Sequence, residues 1–348
     1  MAKMGKYIYG VMNSNERLDF AAAAGSLEAE KVVTIPYHGV CAAVSESATV
    51  DYTKIGRDAV ARLLITHQKV IEQIMDLGYT VLPMRLGIFT EDEAEVIDVL
   101  RKGHNLITST MRKVVHKVEV DMVATWSDLN AIIKEVQEER EIKEFREHLL
   151  ADPKAMTVDD QMKAGLMVQK ALDKKRECYA IQVRSELKAV SEAVREHDLM
   201  DDKMVANCAF LLEKLKQEEF DKRVEELNAR FEEKLNFRCV GPLPPYSFYT
   251  LDVKKMQYGD LDWAKRRLRL ADFTTSEEIT KAYRKAAFSS HPDHNPDAPQ
   301  AEGELADATK AYEILTDYGQ ACEQRDSKDK YSFCKEDFEE NSILITVR

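Results

Sequence analysis

Residues Ser289–Ala298 read Ser-Ser-His-Pro-Asp-His-Asn-Pro-Asp-Ala, a density of histidine, aspartate and proline that suggests metal binding, catalysis or docking. A hydrolytic triad fails on geometry. Ser290, His291 and Asp293 are near neighbours in the chain and cannot line up nucleophile, base and orienting carboxylate across a substrate. A metal shell is poorly supplied as well: His291, Asp293 and His294 have no further histidine or cysteine nearby to complete the coordination. Two readings stay open, a solvated loop and an exposed tip that docks on a partner. No catalytic residue and no metal ligand is assigned.

The elements on either side favour an exposed tip. Thr275-Ser276-Glu277-Glu278 has the form of a capping box, in which Thr275 accepts from the amide of Glu278 and the glutamate reaches back. Ile279, Ala282, Tyr283 and Ala286 follow as an apolar stripe, with Lys281, Arg284 and Lys285 on the other side. Pro292 disfavours helical backbone at the residue before it, so this helix ends at about Ser290. A second helix carries Ala301, Leu305, Ala308, Tyr312 and Leu315. Burying both stripes requires antiparallel packing, which puts His291, Pro292 and Asp293 at the tip of a helical hairpin.

"EEITKAYRKAAFSSHPDHNPDA", "AEGELADATKAYEILTD" and the preceding "LDWAKRRLRLADFTTSEEI" together resemble the J domain of DnaJ-type co-chaperones, over about residues 258–322. The resemblance implies that His291, Pro292 and Asp293 engage a DnaK-type ATPase, assisted by Lys281, Arg284 and Lys285. An exposed imidazole and carboxylate beside cations suit a charged partner groove. Ser289 and Ser290 stand where that family usually has a basic and an aromatic residue, Arg269 stands where it usually has glycine, and Ala286 and Ala308 thin the core. No Gly/Phe-rich linker or zinc-binding cysteine repeat follows, so a general DnaJ chaperone is not expected.

Upstream, "KYIYGVM" and "KVVTIPYHGVCAAVSES" have the β-branched and aromatic content of strands, interrupted near Pro36–Gly39. Val60, Leu63, Leu64, His67, Val70, Ile71 and Ile74 then recur at helical spacing. "YTVLPMRLGIFT" is a strand broken at Pro83 and Gly87, and an amphipathic helix runs from about Glu91 to His116. The expected first domain is therefore α/β, spanning 1–116. In 117–253 the order is strand "KVEVDMVATW", charged helices at about Ser127–Leu150 and Val158–Leu187, strands "KAVSEAVREH" and "KMVANCAFLLEK", helix Glu218–Leu235 and the strand material of "NFRCVGPLPPYSFYTLDV". That β-α-β-β-α-β succession is the ferredoxin-like arrangement. The fold class expected is α+β: two α/β domains, the second ferredoxin-like, followed by an all-α J-domain hairpin (254–325) and a tail (326–348).

Five stretches of this upstream region resemble the gas vesicle protein F/L family (GvpF/GvpL), in the family's order from about residue 6 to 253. They are "KYIYGVM", "HQKVIEQIMDLGYTVLPMRLGIF", "HKVEVDMVATWSDLNAIIKEV", "MVANCAFLLEKLKQEEF" and "VGPLPPYSFY". The resemblance implies two α/β domains, one of them ferredoxin-like, and a part in building gas vesicles, hollow protein shells in the cytoplasm. It further implies binding of the small, very apolar shell protein and restraint of its aggregation. The expected function is a gas vesicle assembly factor whose partners are the shell protein, other gas vesicle proteins and a DnaK-type ATPase. The alternative is a minor structural component of the vesicle with a vestigial J domain.

Composition agrees with this reading. A net charge of −12 argues against nucleic acid as a partner, because such proteins present a basic patch or stripe. The 6 cysteines contain no Cys-x-x-Cys pair and read as reduced thiols. The N-terminal residues lack an apolar signal-peptide core, and no run reaches membrane-spanning length, so a soluble cytoplasmic protein is expected. No phosphate loop, Gly-x-Ser-x-Gly or His-Glu-x-x-His motif is present; no enzyme activity and no cofactor are expected. His67 reads as a core histidine with one hydrogen bond, Arg85 as a structural cation bound to carbonyls or a carboxylate, and "GPLPPY" as a sharp turn. The β-prone tail "NSILITVR" would be an aggregation hazard if free, and is expected to add to a sheet edge, in the chain's own α/β domains or on a partner; the gas vesicle resemblance implies a tail that packs back, which favours the first.

Overall fold

A computed structural model describes residues 4–21, 31–49, 56–151, 157–231, 233–290, 301–326 and 330–348. They group into two compact units, one made of the chain up to Val115 together with Tyr249–Arg348, the other of His116–Phe248.

The first unit opens with β1 (Met4–Met12), β2 (Asp19–Ala21), β3 (Lys31–Tyr37), β4 (Val40–Ala48), α1 (Arg57–Asp76), β5 (Val81–Pro83), β6 (Phe89–Thr90) and α2 (Glu93–Val114). The strands form an antiparallel sheet in the order β2-β3-β4-β1-β5, with β6 also on β1. His38 and Gly39 connect β3 to β4, and both have positive φ (45° and 89°), as a two-residue hairpin turn with the twist of its strands requires. The broken strand at Pro83 and Gly87 becomes β5 and β6 separated by a turn in which Gly87 has φ 94°. Successive β1 side chains face opposite layers. Tyr7 and Tyr9 meet His67 of α1, while Ile8 packs with Val96, Leu100 and Ile107 of α2. The apolar stripe of α1 is shorter than its spacing suggests: His67, Val70, Ile71 and Ile74 are buried, whereas Leu64 is 54% exposed.

The second unit contains β7 (Lys117–Trp126), α3 (Leu129–Gln137), α4 (Arg140–Ala151), α5 (Val158–Lys188), β8 (Ala193–Glu196), β9 (Met204–Glu213), α6 (Gln217–Arg230) and β10 (Leu235–Leu243). Its antiparallel sheet has the order β10-β7-β9-β8. Of the expected strand "KAVSEAVREH" only Ala193–Glu196 is strand, because α5 continues through Lys188 and ends in a turn there. Inward-facing Val118, Val120, Met122 and Trp126 of β7 and Phe210 and Leu212 of β9 are buried, as are Val183 and Leu187 of α5 and Phe220 of α6.

The rest of the first unit is β11 (Leu251–Lys255), α7 (Tyr258–Arg267), β12 (Phe273–Thr275), α8 (Ser276–Ser289), α9 (Ala301–Asp326), β13 (Lys330–Ser332), α10 (Lys335–Asn341) and β14 (Ile343–Val347). Two features correct the expectation from sequence. The J region is not all-α: β12 pairs antiparallel with β13. Leu251–Val253, read as the close of the second domain, are a strand of the first unit paired with the tail strand β14. The tail is docked within the chain, the first of its two expected modes.

Candidate functional site

The start of α8 is fixed as expected. Thr275 accepts from the Glu278 amide (3.2 Å), and the Glu278 carboxylate accepts from the Thr275 amide (2.9 Å). Those hydrogen bonds, that from the Thr275 amide foremost, hold the Glu278 carboxyl below its usual range. Ile279 is buried among Leu261 and Ala264 of α7, Leu268 that caps it, and Ala308, Ala311, Leu315 and Tyr318 of α9. Tyr283 stacks on Tyr312 with ring centres 4.4 Å apart, which fixes the separation of the two long helices.

Burying this stripe determines what α8 shows to solvent. Lys281, Arg284 and Lys285 are all exposed, at positions three and four apart that share one helix face, and make no ion pair among the described residues. An open groove of about 520 Å³ runs beside this face, lined by Lys281 and Lys285 together with Arg267, Leu268, Ala282 and Ala286. The helix ends at Ser289, with Ser290 as its cap, buried and hydrogen-bonded from Oγ to Glu304 Oε2 at 3.2 Å. Ser290 therefore closes the hairpin by a hydrogen bond, where an aromatic residue would have packed. His291, Pro292 and Asp293 lie outside the described residues. Arg269, in the position of the family's glycine, has φ 55°, the left-handed conformation for which glycine is suited.

The other singled-out residues are structural. His67 is buried, with Tyr7 Oη 2.7 Å from its Nδ1, and burial pushes its pKa down to about 4. Arg85 Nη1 donates to Asp252 Oδ2 at 3.0 Å; Asp252 is buried, though Arg85 itself is half exposed. Of "GPLPPY", Gly241–Leu243 end β10 and only Pro244–Tyr246 enter the expected turn, with the Tyr246 amide on Pro244 O and the Phe248 amide on Pro245 O.

One polar cluster was not legible in the sequence. Glu119 of β7, 1% exposed, accepts from the Ser247 amide (2.8 Å) and from Ser247 Oγ (2.7 Å), and His197 Nε2 lies 3.2 Å from the same Oγ. Burial pushes the Glu119 carboxyl up to about 7 and raises that of Asp121 beside it. The carboxylate contacts the serine, not the imidazole, so the order of nucleophile, base and orienting acid is absent from this set. What the cluster does is tie the 244–248 turn to β7. Its partners are separated by 128 residues, and no local pattern announces such a pair.

Comparison with known proteins adds the context of these elements. A family model described as gas vesicle synthesis protein GvpL/GvpF matches residues 5–250, and one described as DnaJ domain matches residues 266–323. Gas vesicle protein F of Nostoc sp. is 25% identical over 246 residues, 70% of this chain and 97% of the relative. A chaperone protein DnaJ of Herminiimonas arsenicoxydans is 45% identical over 64 residues, 18% of this chain and 16% of that protein. The crystal structure of GvpF from Anabaena sp. superposes with a TM-score of 0.61 at 26% identity, covering 70% of this chain and 97% of that one. The GvpF structure from Microcystis aeruginosa gives 0.57 at 22% identity, with 70% and 98% covered, and shares the fold.

Proposed function

Because the chain belongs to the gas vesicle synthesis protein GvpL/GvpF family and carries a DnaJ domain, we propose that it is a gas vesicle assembly factor with a built-in co-chaperone module. It holds the apolar shell protein against aggregation in the cytoplasm, and its J region recruits a DnaK-type ATPase to the same client. It acts by binding, without a catalytic step or cofactor of its own. The observation that carries this reading is the joining, in one chain, of a nearly full-length gas vesicle F-like region to a J match. Supporting it on the J side is the exposed basic face of α8, which makes no ion pair among the described residues, beside an open groove. We read the second unit as ferredoxin-like; its strand order, fourth-first-third-second within the unit, supports this. Among the described residues no helix is long and apolar enough to cross a membrane.

An apolar client needs an apolar surface, and α5 offers one. Val158, Met162 and Leu166 recur every four residues on one helix face and are 72%, 62% and 52% exposed. Met162→Asp/Leu166→Asp should leave the fold intact, since exposed positions contribute little to it. In co-expression with the shell protein, the double variant should leave less of that protein soluble than the parent does. Equal solubility with both would remove α5 from the client surface.

A further inference from the structure

The J match lies wholly between two strands that pair with each other. β11 and β14 run antiparallel from Leu251 opposite Val347 to Lys255 opposite Ile343. Thr250 and Arg348 exchange backbone hydrogen bonds at one end (3.2 and 2.9 Å), and the Met256 amide reaches Ser342 O (2.9 Å) at the other. The J region is thus an insertion held at both ends of a ribbon, not an appendage on a linker.

Alternation along β14 sends its side chains into two different cores. Ile345, with Ile343 and Val347, packs with Ile8, Leu100 and Ile107 of the N-terminal α/β part. Leu344 points the other way and is buried with Leu261, Leu315 and Phe338 of the J region. The seat for Ile345 is shaped for it: a Cβ on Gly103 of α2 would come within 2.7 Å of Ile345 Cδ1. Polar contacts hold both edges. Gln324 of α9 accepts from the Val347 amide (2.7 Å) and donates to its carbonyl (3.1 Å), and buried Asp252 receives Arg85 (3.0 Å) and Arg348 (2.9 Å) on one oxygen. Residues beyond the J match, Tyr331, Phe333, Phe338 and Leu344, complete the J core.

We propose that the ribbon is a coupling strap, so that the J helices cannot loosen or swing without drawing Ile345 out of the N-terminal core. A partner gripping α8 then pulls on the α/β domain itself. The inference rests on the J match alone and not on recruitment of a DnaK-type partner, so its test uses no partner.

Hydrogen exchange on the full-length chain reads the coupling directly. Alanine for glycine should by itself strengthen an interior helical position. Gly103→Ala should instead raise exchange in β14, and also in α7 and α9, by roughly tenfold or more, because the overlap unseats Ile345. Adding Ile345→Val deletes the clashing methyl and should return all three segments most of the way to the parent. Ile345→Ala, which removes volume and avoids any clash, should raise exchange in the same segments. A rise confined to β14, with α7 and α9 at parental rates in either single variant, overturns the proposal.

Discussion

The second unit and the J region treat their ionisable side chains in opposite ways. In the second unit a carboxylate, Glu119, is taken out of water beside Asp121 and held by a serine and a turn. In the J region the interior is built from Leu261, Ile279, Leu315, Phe333 and Phe338, and the cations of α8 stay at the surface. Burying a charge costs several kcal/mol unless it is neutralised or paired, so the first arrangement stores a proton and the second stores none. The difference separates a region whose stability answers to pH from one whose charges remain available to a partner.

The largest expected effect breaks the comparison along that line. A carboxyl raised from 4.5 to about 7 in the folded state favours the protonated form there. Its contribution is present in full below about 4.5 and is lost as pH rises through 7, on the order of 3 kcal/mol. Hydrogen exchange in β7 and β9, corrected for intrinsic rates, should therefore quicken between pH 5 and 8, while α8 and α9 hold steady. Glu119→Gln should flatten the dependence. Equal pH dependence in both regions would mean that Glu119 is not held protonated by its site. His67 gives the opposite sign in the first unit. Its folded pKa is depressed to about 4, so its contribution is present above about 6.5 and lost as pH falls through 4.

A smaller effect sharpens the J side. Arg269 holds φ 55° with a side chain, at a cost of about 1 kcal/mol relative to glycine. Arg269→Gly should raise the urea midpoint of the J region by a corresponding amount, and an unchanged or lower midpoint would mean that the guanidinium contributes more than the backbone strain takes away.

How much of this was legible in the sequence follows from the range of each interaction. The capping box at Thr275 and Glu278 and the helix stop near Ser290 depend on residues within four positions of each other, and the chain displays them openly; the break near Pro36–Gly39 was visible too, though not that His38 and Gly39 form its turn. That the tail would not stay free was legible from the β-prone run Ile343, Leu344, Ile345 and Val347, and the family resemblance favoured docking within the chain over docking on a partner. Its partner strand was not, since β11 reads equally well as the close of the preceding domain. The Leu64 error came from periodicity, which marks a helix face but not where its cover ends. Glu119 with Ser247, and β12 with β13, join distant residues without any pattern in between. For the candidate site itself, the cationic face of α8 was predicted residue by residue, and the accompanying groove and the clamp around the J region emerged only from the fold.

The central claim is that the J region recruits a DnaK-type ATPase, and steady-state ATP hydrolysis by such an ATPase with the full-length chain tests it most directly. The parent chain should stimulate hydrolysis, and His291→Gln should remove that stimulation while shifting unfolding by no more than about 0.5 kcal/mol. Stimulation should also weaken as salt rises to physiological strength, where exposed charges such as Lys281, Arg284 and Lys285 are screened over about 8 Å. Equal rates with parent and His291→Gln, or no stimulation by either, would contradict the account and leave the J region as a structural insert.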